Sequence, residues 1–145
     1  MATATVITQL QAVHAAIAGI TSAPTSAIRA LNAADLPTVL VYPGPAQHAR
    51  YAIGMRRVER IYRVRLFVRV LGDSVEADYL PTITTFLDLF AAAYLTSTNV
   101  TLGGSVEHIQ TERITDSGLT ILDHGARDYH GVEWAVPVVE KVDVA

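Results

Sequence analysis

The chain has 145 residues, half of them apolar, and a formal net charge of −3, which is the length of one domain with apolar content for a sizeable core. It has no cysteine, so disulfides, thiolate metal sites and a cysteine nucleophile are excluded, and a reducing cytoplasm fits. The acidic balance gives no global reason to expect nucleic acid or a membrane surface as partner, Met1 to Thr8 lacks the basic start and apolar block of a secretory signal, and no apolar run is long enough to span a bilayer.

Val6, Leu10, Val13, Ile17 and Ile20 recur at steps of three and four. That spacing predicts an amphipathic helix from about Thr5 to Ala18, ended by Gly19 and the Ser/Pro stretch after it. Ala23 to Pro37 reads as a connection with room for a helical turn around Ala27 to Leu31. Thr38 to Tyr42 (TVLVY) is a short buried strand between Pro37 and Pro43, and Pro43 to Met55 (PGPAQHARYAIGM) reads as a long loop. Arg57 to Leu71 is the longest predicted strand. Its even residues Tyr62, Val64, Leu66, Val68 and Val70 are expected to face the core. Its odd face carries Arg57, Glu59, Ile61, Arg63, Arg65, Phe67 and Arg69 and is expected to meet water or another chain.

Gly72 and Asp73 turn the chain. Asp78 is the expected N-cap of a second helix, with Pro81 in its first turn. Ile83, Leu87, Phe90 and Tyr94 form its apolar stripe, widened by Phe86 and Leu89, and it ends near Leu95. Ser105 to Thr115 alternates as a strand. Asp116, Ser117 and Gly118 form a turn, and Leu119 to Leu122 is a short continuation or an edge. Asp123 to Gly131 (DHGARDYHG) reads as a loop. Val132, Trp134, Val136 and Val138 alternate on the last strand, which ends near Glu140, and Pro137 suggests an edge position or a bulge. The expected fold is a single α+β domain over residues 1–145. It has a mostly antiparallel sheet of about four to five strands, with two helices packed on one face.

Histidines and carboxylates gather at Asp123, His124, Asp128 and His130. The spacing matches no metal signature, and a polar turn explains it. His14 reads as a surface or partly buried helix residue, His48 lies in the predicted loop, and His108 lies on a strand. There is no Gly-x-Ser-x-Gly for an activated serine. Gly103 and Gly104 precede a strand, not the helix N-terminus that a phosphate cradle needs. Asp73, Glu76 and Asp78 are explained by helix capping and the helix dipole. The expectation is no enzyme, no metal and no cofactor.

The anomaly is charge. Arg50, Arg56, Arg57, Arg60, Arg63, Arg65 and Arg69 are seven of the eleven Lys and Arg residues, opposed locally only by Glu59. The segment carries +6 and the rest of the chain −9. Three readings stand: a solvated face offset by Glu59 and nearby acids, a nucleic-acid surface, or contact with an acidic face of another copy or another protein. Strands that bind nucleic acid interleave aromatic residues for stacking, and this face offers only Phe67; phosphate contact alone stays open.

Two segments carry a family resemblance: ADLPTVLVYPG at Ala34 to Gly44, and YHGVEWAVPVVE at Tyr129 to Glu140. With the N-terminal apolar helix, the arginine-rich strand and the Leu/Phe-rich helix between them, the chain resembles the tail terminator (tail completion) proteins of long-tailed bacteriophages over most of its length. The resemblance implies an α+β sheet with packed helices and a hexameric ring. Such a ring would cap the tail tube, stop its growth and meet the neck or head-completion protein, with DNA passing through without sequence-specific binding. It implies a place in the virion, assembled in the bacterial cytoplasm, with no membrane, cofactor or catalysis. A head–tail connector of the neck is the neighbouring alternative. A non-viral ligand-binding or enzyme domain using His124 and His130 is the distant one.

On this reading Arg57, Arg63, Arg65 and Arg69 are candidate subunit-interface residues, and Glu133, Glu140 and Asp143 are their candidate partners on the adjacent subunit. Such pairs set register and orientation more than affinity. The candidate partner-contact loops are the first, with Pro43, Gly44, His48, Arg50 and Tyr51, and the second, with Asp123, His124, Arg127 and Asp128. One is expected to face the tube and the other the neck.

Overall fold

A computed structural model describes residues 3–24, 36–52, 54–70, 76–96, 99, 102 and 108–143, with the backbone alone at 50–52, 55, 76–79 and 141–143. Three long strands form its frame: β1 (Thr38–Ala52), β2 (Met55–Val70) and β6 (Arg127–Asp143). Three short ones, β3 (His108–Ile109), β4 (Thr115–Asp116) and β5 (Thr120–His124), complete a sheet of six strands among the described residues, and the long helices there are α1 (Thr3–Ala15) and α2 (Glu76–Leu95). The pairings among these six strands are antiparallel, with an isolated parallel bridge from Ser22 to Thr38 at the start of β1, so the chain is α+β as expected, with more strands than expected.

β2 lies between β1 and β6, and β3, β4 and β5 pair in turn with the far edge of β6. The continuous strand expected over Ser105–Thr115 is broken: a 3-10 turn at Thr111–Arg113 separates β3 from β4, and residues 105–107 lie outside the described residues. Pro137 is therefore not on an edge strand. Its carbonyl accepts from the Gln110 N–H at 2.9 Å. A strand residue aims its N–H and C=O the same way, so the missing N–H faces the break between β3 and β4, where no ladder bond is lost.

Both predicted loops are strands. Pro43 to Ala52 continues β1 in register with β2, with an irregularity between Pro43 and Ala46. The prolines are tolerated because β1 is an edge strand, where a missing N–H faces away from the ladder. Gly44 sits in the irregularity, where a Cβ would collide with the Ile61 carbonyl oxygen, and Arg60 Nη1 donates to the Gly44 carbonyl at 2.9 Å. Asp123 to Gly131 is a tight hairpin. His124 pairs with Arg127, and the two turn residues, Gly125 and Ala126, have φ of 57° and 64°, the condition of a type I′ turn.

A second irregularity, between Phe67 and Arg69 on β2, changes which way the strand's end points. Val64, Leu66 and Val68 join the main apolar cluster, but Val70 packs with Phe67, Leu40, Leu122 and Tyr129 in a second one. The extra residue shifts the alternation by one. Val70 is not on the face expected for it. Arg69, opposite His130, leaves the face of Arg63 and Arg65.

The main cluster joins Val6 and Leu10 of α1, Ile83, Phe86, Phe90 and Tyr94 of α2, and Tyr62, Val64, Val132, Trp134 and Val136 of the sheet. At its centre Phe90 stacks on Trp134 at 4.2 Å and 8° and faces His14 at 5.3 Å and 16°. One three-ring pile thus ties both helices to β6. His14 is fully buried, contrary to the surface or partly buried position expected, because the α1 stripe it belongs to is the one turned to α2. α1 and α2 begin earlier than expected, so Asp78 lies inside the first turn and not at the cap. Residues 27–31 and 72–73, expected to form turns, lie outside the described residues, as do Gly103 and Gly104.

Candidate functional site

The odd residues of β2 before the irregularity share a face with Leu40 and Tyr42 of β1 and with Glu133 and Ala135 of β6. At its centre Glu133 receives two arginines. Arg63 Nη1 donates to Oε1 at 2.9 Å. Arg65 Nε lies 3.0 Å from Oε2, an ion pair without the alignment of a hydrogen bond. The Arg65 guanidinium also sits 5.6 Å from the Tyr42 ring centroid. Cross-strand register sets this geometry: Arg65 is directly opposite Glu133, and Arg63 is two pairs along, opposite Ala135 on the same face. Glu133 is held from behind by Ser117, whose N–H donates to its carbonyl at 2.9 Å and whose Oγ accepts from its N–H at 3.0 Å.

These groups line a shallow basin of about 420 Å³ with Thr120 and Leu122 on its far wall. A smaller depression of about 210 Å³ lies along the same face, floored by Ile61, Pro137 and Ala46 and rimmed by Glu59, Gln110 and Arg113. Arg57 pairs with Glu59 at 3.3 Å, and Gln110 bridges Glu59 and Arg113 at 3.4 and 3.2 Å.

At the other end the face closes over a second core. Tyr42 Oη, from one edge of the sheet, lies 3.4 Å from His124 Nδ1, from the opposite edge, and both sit near Phe67, whose ring is 5.6 Å from that of His124. Burial raises the Tyr42 pKa, with Arg65 opposing and Asp123 adding to the shift. The face read from sequence as open is therefore half covered, by apolar and aromatic side chains that the curled sheet folds over itself.

Each candidate residue now has a place. Arg57, Arg63 and Arg65 share the face and pair within the chain, so Glu133, expected to pair across subunits, is an intrachain partner. Arg69 is exposed on the other side of the sheet. Glu140 lies among buried residues beside Tyr62 and Arg60, with 2% exposure. It cannot reach the arginine face, because it alternates with Trp134, Val136 and Val138. Asp143 ends β6 opposite Met55, and its side chain lies outside the described residues. Pro43, Gly44, His48, Arg50 and Tyr51 lie on strand β1, and Asp123, His124, Arg127 and Asp128 straddle the β5–β6 turn.

His124 and His130 fall on opposite faces of that hairpin, since His124 alternates with Leu122 and His130 is paired with Ile121. Among the described residues no group of three His, Asp or Glu side chains is placed to hold a metal ion. Thr115, Asp116, Ser117 and Gln110 line the face and carried no signal in the sequence; the break between β3 and β4 brings them there. Comparison with known protein families finds no family that matches the chain, and comparison with characterised proteins finds no matching relative.

Proposed function

We propose that the chain is a structural ring subunit of a long-tailed bacteriophage virion, a tail terminator that caps the tail tube and joins it to the neck. The observation that carries this reading is where the resembling segments lie. Of the first segment, Thr38 to Gly44 forms the start of edge strand β1, and Tyr129 to Glu140 is the greater part of central strand β6. The resemblance thus concerns the sheet's frame and not a loose loop. The shared apolar cluster and the His14–Phe90–Trp134 pile favour both helices lying on one face. That leaves the polar arginine face for neighbours. On this account the copies form a hexameric ring with tail-tube protein on one side and the neck or head-completion protein on the other, and DNA crosses the central hole without sequence-specific contact. The work done is binding and geometry, with no catalytic step and no cofactor.

The test is to add purified protein to tail tubes while they are growing and to measure tube length by electron microscopy. Capped tubes that stop elongating support the terminator role. Uninterrupted growth overturns it, and binding to neck assemblies without binding to tubes would move the chain to the connector role.

A further inference from the structure

One wall of the basin over Glu133 is β5. Thr120, Ile121, Leu122 and Asp123 all line it. Successive strand residues point to opposite faces, so a hollow that touches four in a row runs along the strand's edge and not over one face. β5 pairs with β6 alone, which leaves its other side as an edge of the sheet.

That edge is open. Gly125 and Ala126 make a two-residue turn, so the pair beside it, His124 and Arg127, exchanges both of its backbone hydrogen bonds. Alternation then turns the N–H and C=O groups of Asp123 and Ile121 away from β6. Among the described residues no backbone hydrogen bond reaches these four groups. The opposite edge is guarded: β1 contains Pro43 and Pro45, which lack an N–H, and its start is bridged by Ser22. β5 (TILDH) has neither proline nor lysine, the residues that blunt an edge. It carries instead Ile121, a large apolar residue that is 57% exposed.

Charge in the basin is uneven. Its lining holds Arg63 and Arg65 against Glu133, Asp116 and Asp123, one carboxylate in excess. Both arginines are turned to Glu133. Asp116 Oδ1 accepts from the Gly118 N–H at 2.9 Å, and neither aspartate joins an ion pair among the described residues. Arg127, at the turn, is not part of the lining.

We infer that this edge and basin dock an extended segment of a partner protein, which adds a strand beside β5 and brings a lysine or arginine to Asp116 and Asp123. The Ile121 and Asp123 backbone groups supply the hold, and the basin selects among the alternate side chains of the segment. The occupant is a different protein and not a second copy. Among the described residues, the lysines and arginines of this chain stand on β1, β2 and β6, already paired in the sheet, except Arg113, which ends a 3-10 turn. The inference goes beyond the ring-subunit reading, because it concerns the chemistry of a partner segment and holds whether or not the chain caps a tail tube.

The test is a titration followed by amide NMR of the isotope-labelled chain. The probe is the synthetic peptide acetyl-Thr-Val-Lys-Val-Thr-amide, taken to millimolar concentration. Saturable shifts are expected at the amides of Ile121 and Asp123 and at Thr115 to Ser117. Glutamate in place of the peptide's lysine is expected to weaken binding at least roughly tenfold. Of two peptides N-methylated on alternate residues, one is expected to lose binding and the other to keep it, since only alternate N–H groups face the edge. Asp116→Asn with Asp123→Asn is expected to weaken the lysine peptide about tenfold and to spare the glutamate peptide, with the unperturbed amides of the variant reporting its fold. No shift at these amides, equal binding of the lysine and glutamate peptides, or indifference to both N-methylation patterns would each overturn the inference. Shifts at the same amides that grow with protein concentration alone would assign the edge to a second copy and overturn the choice of partner.

Discussion

His14 Nε2 and Tyr94 Oη lie 2.8 Å apart where neither residue meets solvent. Burial drops the His14 pKa from 6.5 to about 3, so the imidazole is neutral in the folded chain. Below pH 6.5 the unfolded chain takes up a proton that the folded chain refuses. Stability therefore falls as pH drops towards 3, where the folded state begins to bind the proton too, and the whole window is worth about 4–5 kcal/mol. His14→Phe should flatten urea-unfolding stability across that window. An unchanged slope would mean that the acid response comes from carboxylates elsewhere.

Glu140 gives the opposite sign. Burial raises its carboxyl pKa, with Arg60 pulling it back. A raised acid pKa stabilises below the ordinary value of 4.5, and that contribution is lost as pH climbs through the folded value. Glu140→Gln is expected to raise the melting temperature at pH 7 and to change it less at pH 4. The neighbouring Tyr62 phenol, pushed up to about 12 by burial with Glu140 adding, should titrate at lower pH in that variant, readable by its ultraviolet absorbance.

Gly131 is required by space. A Cβ there would collide with the Leu66 carbonyl oxygen, and both strands are held in the middle of the sheet. Gly131→Ala is expected to cost about 2–3 kcal/mol in chemical denaturation. Gly118→Ala is the comparison: its φ is +65° but no atom lies within 4 Å of the added carbon, so only the left-handed backbone is penalised, by about 1 kcal/mol. Equal losses at the two sites would contradict the close approach of β6 to β2.

Glu133→Gln removes the carboxylate shared by Arg63 and Arg65. The Arg63 side chain is 47% exposed, so the pairs are screened and the expected loss of stability is under about 1 kcal/mol. The face should instead become more basic, which holds the protein longer on a cation exchanger. Stronger retention than the parent is the expected result.

Much of this fold is visible in periodicity. The α2 stripe and the alternation of β2 and β6 depend on burial of one side, which apolar spacing reports directly. What spacing could not report was pairing. Pro43, Gly44 and Pro45 have the composition of a loop, yet an edge strand loses nothing when an outward N–H is missing. Gly125 and Ala126 are not a common hairpin dipeptide, and the turn is tight all the same. The extra residue near Val68 moves Val70 and Arg69 to new faces, a shift that no local residue type announces. The arginine face was recognised as charged and amphipathic, but its main acceptor, Glu133, was expected on another subunit because its register with Arg65 depends on tertiary pairing.

The central claim is that copies of this chain build a ring. The direct measurement is molar mass in solution by light scattering, across a range of salt concentrations and with and without tail-tube protein. The account predicts a sixfold mass, alone or on adding tube protein, that declines as salt screens charged contacts between copies. A monomer or dimer of constant mass at every salt concentration, unchanged by tube protein, would contradict it.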